Sequence, residues 1–284
     1  MKSVLVLGST GSVGRALSES LVARGVAVRG ATRDASSHPV EGVQPVRLEL
    51  QDESTLKDAL GEVEGLFVMS PPGHRDAHTL LGPLLERAFA LPSLKRVVTL
   101  SAQGAEADDA IPLRQTELKV EASGVPWVHL RPSWFMQNFH TFWGDGVRQH
   151  NLFRLPADQA KVGFIDTRDI AASACAALTE AADRVTGRAW TLTGPAALDH
   201  AEAAAVLSEV LGRTITYEAI SDEAFRRDLT PSGLPEDYIG LLVELFAAVR
   251  AGGASQINDH VQQLTGQPPR SLATYARDYA DALK

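Results

Sequence analysis

The sequence predicts an α/β fold: a doubly wound parallel sheet with a smaller, mostly helical C-terminal lobe. Three observations lead there. Residues 4–7 form a short unbroken apolar run, as in a strand buried on both faces of a parallel sheet. Gly8, Gly11 and Gly14 follow at a spacing of three and open an amphipathic helix over 15–24. Leu17, Leu21 and Val22 lie on its apolar stripe and Gly25 is its stop. After that, short apolar runs alternate with helical patterns through residue 178, the rhythm of repeated strand–helix–strand units.

The bulk properties exclude several classes. At 284 residues the chain can bury one large α/β domain or a domain with an appendage. A formal net charge of -8, with no basic run, argues against a general affinity for nucleic acid or acidic membranes. Cys175 is the only cysteine, so neither an intramolecular disulfide nor a multi-cysteine metal site is available, and no metal is expected. No stretch approaches a membrane span, and a strand starting at Ser3 leaves no room for a signal peptide, so the expectation is a cytoplasmic protein. A homo-oligomer is compatible with the sequence, but no heptad or apolar surface stripe specifies one.

The glycine triplet has a physical reading. A dinucleotide pyrophosphate needs N–H groups and a helix N-terminus pointed at it with no side chains between. Gly8 permits the tight turn, Gly11 the approach of phosphates, and Gly14 the packing of the helix on the strand. The second strand covers 26–32, and Arg33 stands just past its end. A carboxylate at that position would bind the adenosine ribose hydroxyls and repel a 2′-phosphate. An arginine instead pairs with phosphate, so Thr32 and Arg33 point to NADP(H). Asp34 is the competing residue: one register shift would put a carboxylate there.

Residues 43–50 read as an edge strand, with Pro45 compatible with an edge, and Asp52 or Ser54 caps the helix that ends near Leu60. Strand 65–70 runs into Pro71, Pro72 and Gly73, a rigid turn suited to lining a cofactor crevice. Strand 96–104 carries Ser101 and Gln103 at its C-terminal end, where open α/β sheets place their chemistry. His74 and His78 lack partners at metal spacing, and His129, inside the apolar strand 127–131, reads as a satisfied core histidine.

Trp134, Phe135, Phe139, Phe142, Trp143 and Phe153 then crowd into 20 residues, with Asn138 and His140 among them. Such a stretch suits a flat organic substrate, although Phe135, Phe139 and Phe142 at helical spacing equally suit a packed helix. Residues 163–170 read as a strand entering an alanine-rich helix, with Asp169 as its cap. Another strand is expected at 190–193. From Asp199 the composition changes: a capping box at 199–202, a strand over 214–219, a helix capped by Ser221, one opened by Pro235, and two short helices at the end. The expected division is a nucleotide-binding domain over 1–195 and a small substrate lobe over 196–284.

Several motifs together resemble the NmrA-like, atypical branch of the short-chain dehydrogenase/reductase superfamily. They are Gly-Ser-Thr-Gly-Ser-Val-Gly (8–14), Thr-Leu-Ser-Ala (99–102), Leu-Arg-Pro-Ser-Trp-Phe-Met-Gln-Asn-Phe (130–139) and Phe-Ile-Asp-Thr-Arg-Asp-Ile-Ala (164–171). Leu-Thr-Gly-Pro (192–195), Gly-Leu-Pro-Glu-Asp-Tyr (233–238) and Thr-Gly-Gln-Pro-Pro-Arg-Ser (265–271) resemble more narrowly the ergot-alkaloid reductases and their bacterial relatives. The resemblance implies a Rossmann-type fold and NADPH-dependent reduction. It also implies a cofactor surrounded by Gly8, Ser9, Thr10, Gly11, Ser12, Val13 and Gly14, Arg33, Ser70, Pro71 and Pro72, and Ser101, Ala102 and Gln103. Phe135 and Asn138 would lie near the nicotinamide.

One departure shapes the chemistry. The superfamily's Tyr-x-x-x-Lys is missing: Tyr217, Tyr238, Tyr275 and Tyr279 all fall in the last third, and Gln115 stands four residues before Lys119. Without that phenol a ketone lacks its proton donor. An iminium already carries positive charge, and a reduced quinone takes its proton from water. The expected activity is therefore reduction of a flat conjugated, imine or iminium, or quinone-type small molecule. Trp134, Phe135, Asn138, Trp143 and Phe164 would hold the acceptor, and Ser101 is the nearest candidate for a catalytic group. The alternative is a non-catalytic NADP(H) redox sensor that binds a partner protein.

Overall fold

The computed structural model describes residues 1–71 and 73–284. In chain order its principal elements are β1 (Ser3–Val6), α1 (Ser12–Ala23), β2 (Ala27–Thr32), β3 (Val43–Arg47), α2 (Glu53–Leu60), β4 (Gly65–Met69), α3 (Ala77–Phe89), β5 (Arg96–Leu100), α4 (Pro112–Glu121) and β6 (Trp127–Pro132). They continue as β7 (Leu152–Leu155), α5 (Thr167–Thr179), α6 (Ala182–Val185), β8 (Arg188–Leu192), α7 (His200–Leu211), β9 (Thr216–Ala219), α8 (Asp222–Leu229), α9 (Glu236–Arg250), α10 (His260–Thr265), α11 (Leu272–Asp278) and α12 (Ala280–Leu283). None of the described helices is long and apolar enough to cross a membrane.

The chain forms two compact units, each drawn from three stretches. Met1–Pro132, Thr167–Thr191 and His260–Gly266 make the first; Ser133–Asp166, Leu192–Asp259 and Gln267–Lys284 make the second.

The first unit is built on a seven-stranded sheet of order β3-β2-β1-β4-β5-β6-β8. The pairings from β3 through β6 are parallel, and β3, with Pro45, is at the edge. Order reverses between β1 and β4, the switch point at which doubly wound sheets open a crevice beyond their strand ends. Leu5, Leu66, Val68 and Val97 pack with Leu56 and Leu60 of α2, Leu81, Leu84 and Leu85 of α3, and Val120 of α4 in one core. Strand residues of the other parity, Val4, Val6, Phe67 and Val98, are equally buried, and α1 packs beside α5. The strands therefore read as continuous apolar runs because both faces are covered. Two arginines close helix ends: Arg29 Nε donates to Ala59 O at 3.0 Å on α2, and Arg96 Nη1 donates to Ala177 O at 2.6 Å on α5.

The second unit packs around Phe139, Phe153, Phe164, Phe246 and Tyr275. Its caps follow the sequence: Asp199 and Glu202 form the reciprocal capping box of α7, and Ser221 accepts from the Ala224 N–H on α8. Two local expectations give way. Residues 163–166 form no strand, because each short piece bonds a different partner. Val162 exchanges hydrogen bonds with Leu198, Gly163 donates to Ala254 O, and Ile165 pairs with Trp134 and Met136. No ladder longer than one bridge can form. Asp169 is not the cap of α5 but a buried residue in its first turn. In place of the lost strand, β7 pairs in parallel with β9, from Leu152 opposite Thr216 to Leu155 opposite Ala219.

His200 is fully buried, with its ring 5.3 Å from those of Phe164 and Tyr217 and near Trp143 and Phe153. Neither ring nitrogen has a hydrogen-bond partner among the described residues, and burial holds its pKa down at about 4 against an ordinary 6.5. As pH falls through 6.5 the unfolded chain takes up this proton first, so stability drains away between 6.5 and 4. His200→Phe should keep the ring packing, leave urea stability at pH 7 unchanged or higher, and flatten the decline between pH 6.5 and 4. An unaltered pH slope would show that His200 does not contribute to it.

Candidate active site

The glycine turn shows why each glycine is needed. Leu7 N–H still donates to Phe67 O, at 3.0 Å, but Gly8 then turns with φ +62, where a Cβ would sit 2.4 Å from Met69 Sδ. Gly11 N–H donates back to Gly8 O at 2.9 Å. A Cβ on Gly14 would lie 2.2 Å from Gly8 O, so only glycine lets α1 start this close to the end of β1. The first turn of α1 has no side-chain cap and no acidic residue, and Gly8, Thr10, Gly11 and Ser12 are exposed. Its N–H groups and the positive end of its dipole therefore face outward, ready for an anion. Ser9 and Val13 are buried; the Ser9 hydroxyl points inward and donates to Ala31 O at 2.9 Å.

Parallel pairing lines up the other candidates beside this turn. The sheet order places, side by side along its C-terminal edge, Arg33 after β2, Gly8–Gly14 after β1, Ser70 and Pro71 after β4, and Ser101–Gln103 after β5. Pro72 lies outside the described residues. Arg33 is exposed and makes no hydrogen bond or ion pair among the described residues. Asp34, its competitor, is occupied locally: its Oδ1 accepts the Ser36 N–H at 2.9 Å, and hydrogen bonds from Ser36 hold its carboxyl below the ordinary range. The β5–β6 pairing continues past the strand end, with Ser101 N–H on Leu130 O at 2.8 Å and Gln103 N–H on Pro132 O at 3.0 Å. Gln103 Oε1 is buried without a hydrogen-bond partner among the described residues, Ser101 Oγ is buried against the Glu117 carboxylate without regular hydrogen-bond geometry, and Ala102 between them is half-buried.

Below Ser101 lies a charge cluster that sequence reasoning missed. Glu117 is fully buried, and Arg131 grips it in a bidentate pair, Nε to Oε1 at 2.9 Å and Nη2 to Oε2 at 2.6 Å. Arg114 adds bonds to Glu117 at 2.9 Å and Glu121 at 2.6 Å. Burial works to raise the Glu117 pKa, but hydrogen bonds, led by those from Arg131, outweigh it and leave the group at about 2. His129 is buried as expected, yet its ring is not satisfied. Nε2 lies 3.3 Å from Glu121 Oε1 without hydrogen-bond geometry, and burial holds its pKa at about 4. Glu117, Glu121 and His129 bring ligand-type atoms together, but two guanidinium groups already neutralise the carboxylates. The available sequence signals were an arginine inside strand 127–131 and acids three and seven residues after Arg114.

The acceptor candidates all belong to the second unit. Trp134 packs 4.6 Å from Phe246, and Trp143 lies edge-on to Phe139 at 4.9 Å. Phe135 and Asn138 are half-buried beside the short turn Met136–Phe139. Phe164, only 1% exposed, packs on Phe139 and His200 and lines an apolar pocket of about 130 Å³ with Met136, Leu198, Val206 and Leu272. The helical spacing of Phe135, Phe139 and Phe142 does not make an α-helix: Phe139 is core, whereas Phe142 is 73% exposed. The four tyrosines are also in this unit, whereas Lys119, in the first, pairs with Glu86 at 2.6 Å.

A glycine-rich turn at the switch point of a doubly wound sheet defines a dinucleotide-binding class of protein. Residues 1–272 match the NmrA-like family, and the chain belongs to it. It is 32% identical to an NAD(P)H azoreductase of Xenophilus azovorans over 98% of both chains, and 29% identical to an agroclavine dehydrogenase of Claviceps fusiformis over 97% of this chain and 96% of that one. In fold it matches the Escherichia coli NADPH-dependent quinone oxidoreductase QOR2, solved with NADPH, at TM-score 0.83 and 23% identity over 98% of this chain and 99% of that one.

Replacing Glu117 should expose how much the cluster supports the β5 end. Glu117→Gln keeps the shape but leaves Arg131 only the half-exposed Glu106, 3.3 Å away, as counter-charge, and should cost roughly 3–5 kcal/mol in urea unfolding. The wild-type contribution should be complete above pH 4.5, the ordinary carboxyl value, and fade as pH falls toward 2.

Proposed function

We propose that this chain is an NADPH-dependent reductase of flat conjugated, imine or iminium, or quinone-type small molecules. The observation that carries the reading is one row of groups along the sheet edge: an unpaired Arg33, an uncapped glycine turn, the buried Ser101 Oγ set against Glu117, and the orphaned Gln103 Oε1. The row suits the parts of a dinucleotide in order. Gly8 and Gly14 let the turn fold tightly on itself, since a Cβ at either would strike Met69 Sδ or Gly8 O, and the α1 N-terminus so placed offers N–H groups to a diphosphate. Arg33 would take the 2′-phosphate. Ser70, Pro71 and Pro72 would line the middle of the crevice, and Ser101, Ala102 and Gln103 the nicotinamide end. When bound, NADPH supplies the hydride.

Trp134, Phe135, Asn138, Trp143 and Phe164 are assigned to the acceptor, so substrate recognition falls to residues 133–166 together with the 196–284 lobe. Ser101 is placed as an orienting group and proton relay rather than an obligatory acid. The choice of acceptor rests on the sequence: Gln115, not tyrosine, stands four residues before Lys119. It is supported by relatives named for azo and clavine chemistry.

Arg33→Ser should weaken NADPH binding about 10- to 100-fold while leaving NADH within about twofold, read by fluorescence titration. Wild-type protein should oxidise NADPH with at least one quinone, azo or iminium acceptor, and Ser101→Ala should slow turnover by less than about tenfold. No NADPH oxidation across such a panel, with cofactor still bound, would favour the partner-binding redox sensor.

A further inference from the structure

A hydrogen-bond chain, buried at Ser9 and half-buried at His38, joins the glycine turn to the loop that carries Arg33. Ser9, in the glycine motif, is fully buried, and its single hydroxyl proton goes to Ala31 O at 2.9 Å. Its oxygen lies 3.0 Å from His38 Nε2, and with its proton already committed it accepts there. His38 Nδ1 meanwhile accepts the Val40 N–H at 3.1 Å. These bonds fix one tautomer: neutral imidazole with its proton on Nε2, donating to Ser9. The ring lies across β2 at Gly30, where a Cβ would come within 2.9 Å of His38 Cδ2 and Nε2. The loop itself is braced by the Asp34–Ser36 turn and by the Thr32 hydroxyl on Asp34 O at 3.1 Å.

We infer that His38 is a positioning residue for cofactor selection: its clamp on Ser9 holds the Arg33 loop at a set distance from the glycine turn. The clamp makes the groups for the 2′-phosphate and the diphosphate one preorganised piece, so that NADPH does not have to order the loop on binding. Gly30 is the residue that makes room for the ring. The inference rests on the NADPH reading above.

The test uses His38→Ala, His38→Asn and His38→Gln, with Arg33→Ser as the reference. Asparagine retains an acceptor near the position of Nδ1 but does not reach Ser9. Glutamine carries an N–H donor out to the position of Nε2. In cofactor-free protein, hydrogen exchange of the Ser36 N–H, which Asp34 Oδ1 accepts, should speed up about tenfold in His38→Ala and His38→Asn and stay near wild type in His38→Gln. In titrations the first two should lose about tenfold in NADPH affinity with NADH within about twofold, and His38→Gln should restore NADPH binding. Unchanged exchange in His38→Ala overturns the clamp whatever the cofactor. Faster exchange with intact NADPH affinity overturns its role in selection. If Arg33→Ser itself leaves NADPH binding intact, the NADPH reading fails and the assigned role of His38 fails with it.

Discussion

The first unit depends on how closely the backbone of α1 approaches the end of β1. At Gly14 a single methyl would collide with Gly8 O. That contact places the open first turn of α1 at the sheet's switch point, and the parallel pairings bring the ends of β2, β4 and β5 alongside. What looks like a composite site is thus one geometric choice repeated by the sheet. The side chains around it need only be absent at the glycines, exposed at Arg33, or short of partners at Gln103.

Supporting charge is spent below this edge rather than at it. Glu117, Arg114 and Arg131 bind one another under Ser101, which leaves the exposed edge with the unpaired cation at Arg33. Burying such a cluster costs desolvation that only near-ideal pairing offsets, and the bidentate Arg131–Glu117 geometry supplies it. Ion pairs set the framework here, while the exposed sheet edge presents the backbone N–H groups of the glycine turn and the Arg33 side chain.

How much was legible in the sequence varied with the range of the interaction. The strands and helices of the sheet, the edge position of β3, and the caps at Asp52, Asp199 and Ser221 were readable because they depend on local pattern and nearby side chains. Residues 163–166 were misread because their extended backbone bonds three separate segments, information that no local window contains. β7 was missed for the same reason, its partner β9 lying some sixty residues on. At the candidate site, chemistry alone nominates the glycines and Arg33, and the sheet order sets them beyond neighbouring strands. The Glu117 cluster and the Ser9–His38 bond join residues distant in sequence, and no motif announces them.

The interleaving of the two units bears on how the protein is made. The chain changes unit after residues 132, 166, 191, 259 and 266, and α10, which packs on α5 in the first unit, is contributed only by His260–Gly266. A ribosome must therefore have delivered residues 1–266 before the first unit has its last helix. Until then the α5 surface that α10 covers stays open on the nascent chain. The first unit therefore cannot be completed until most of the second has been synthesised, so folding domain by domain in chain order is closed to this protein.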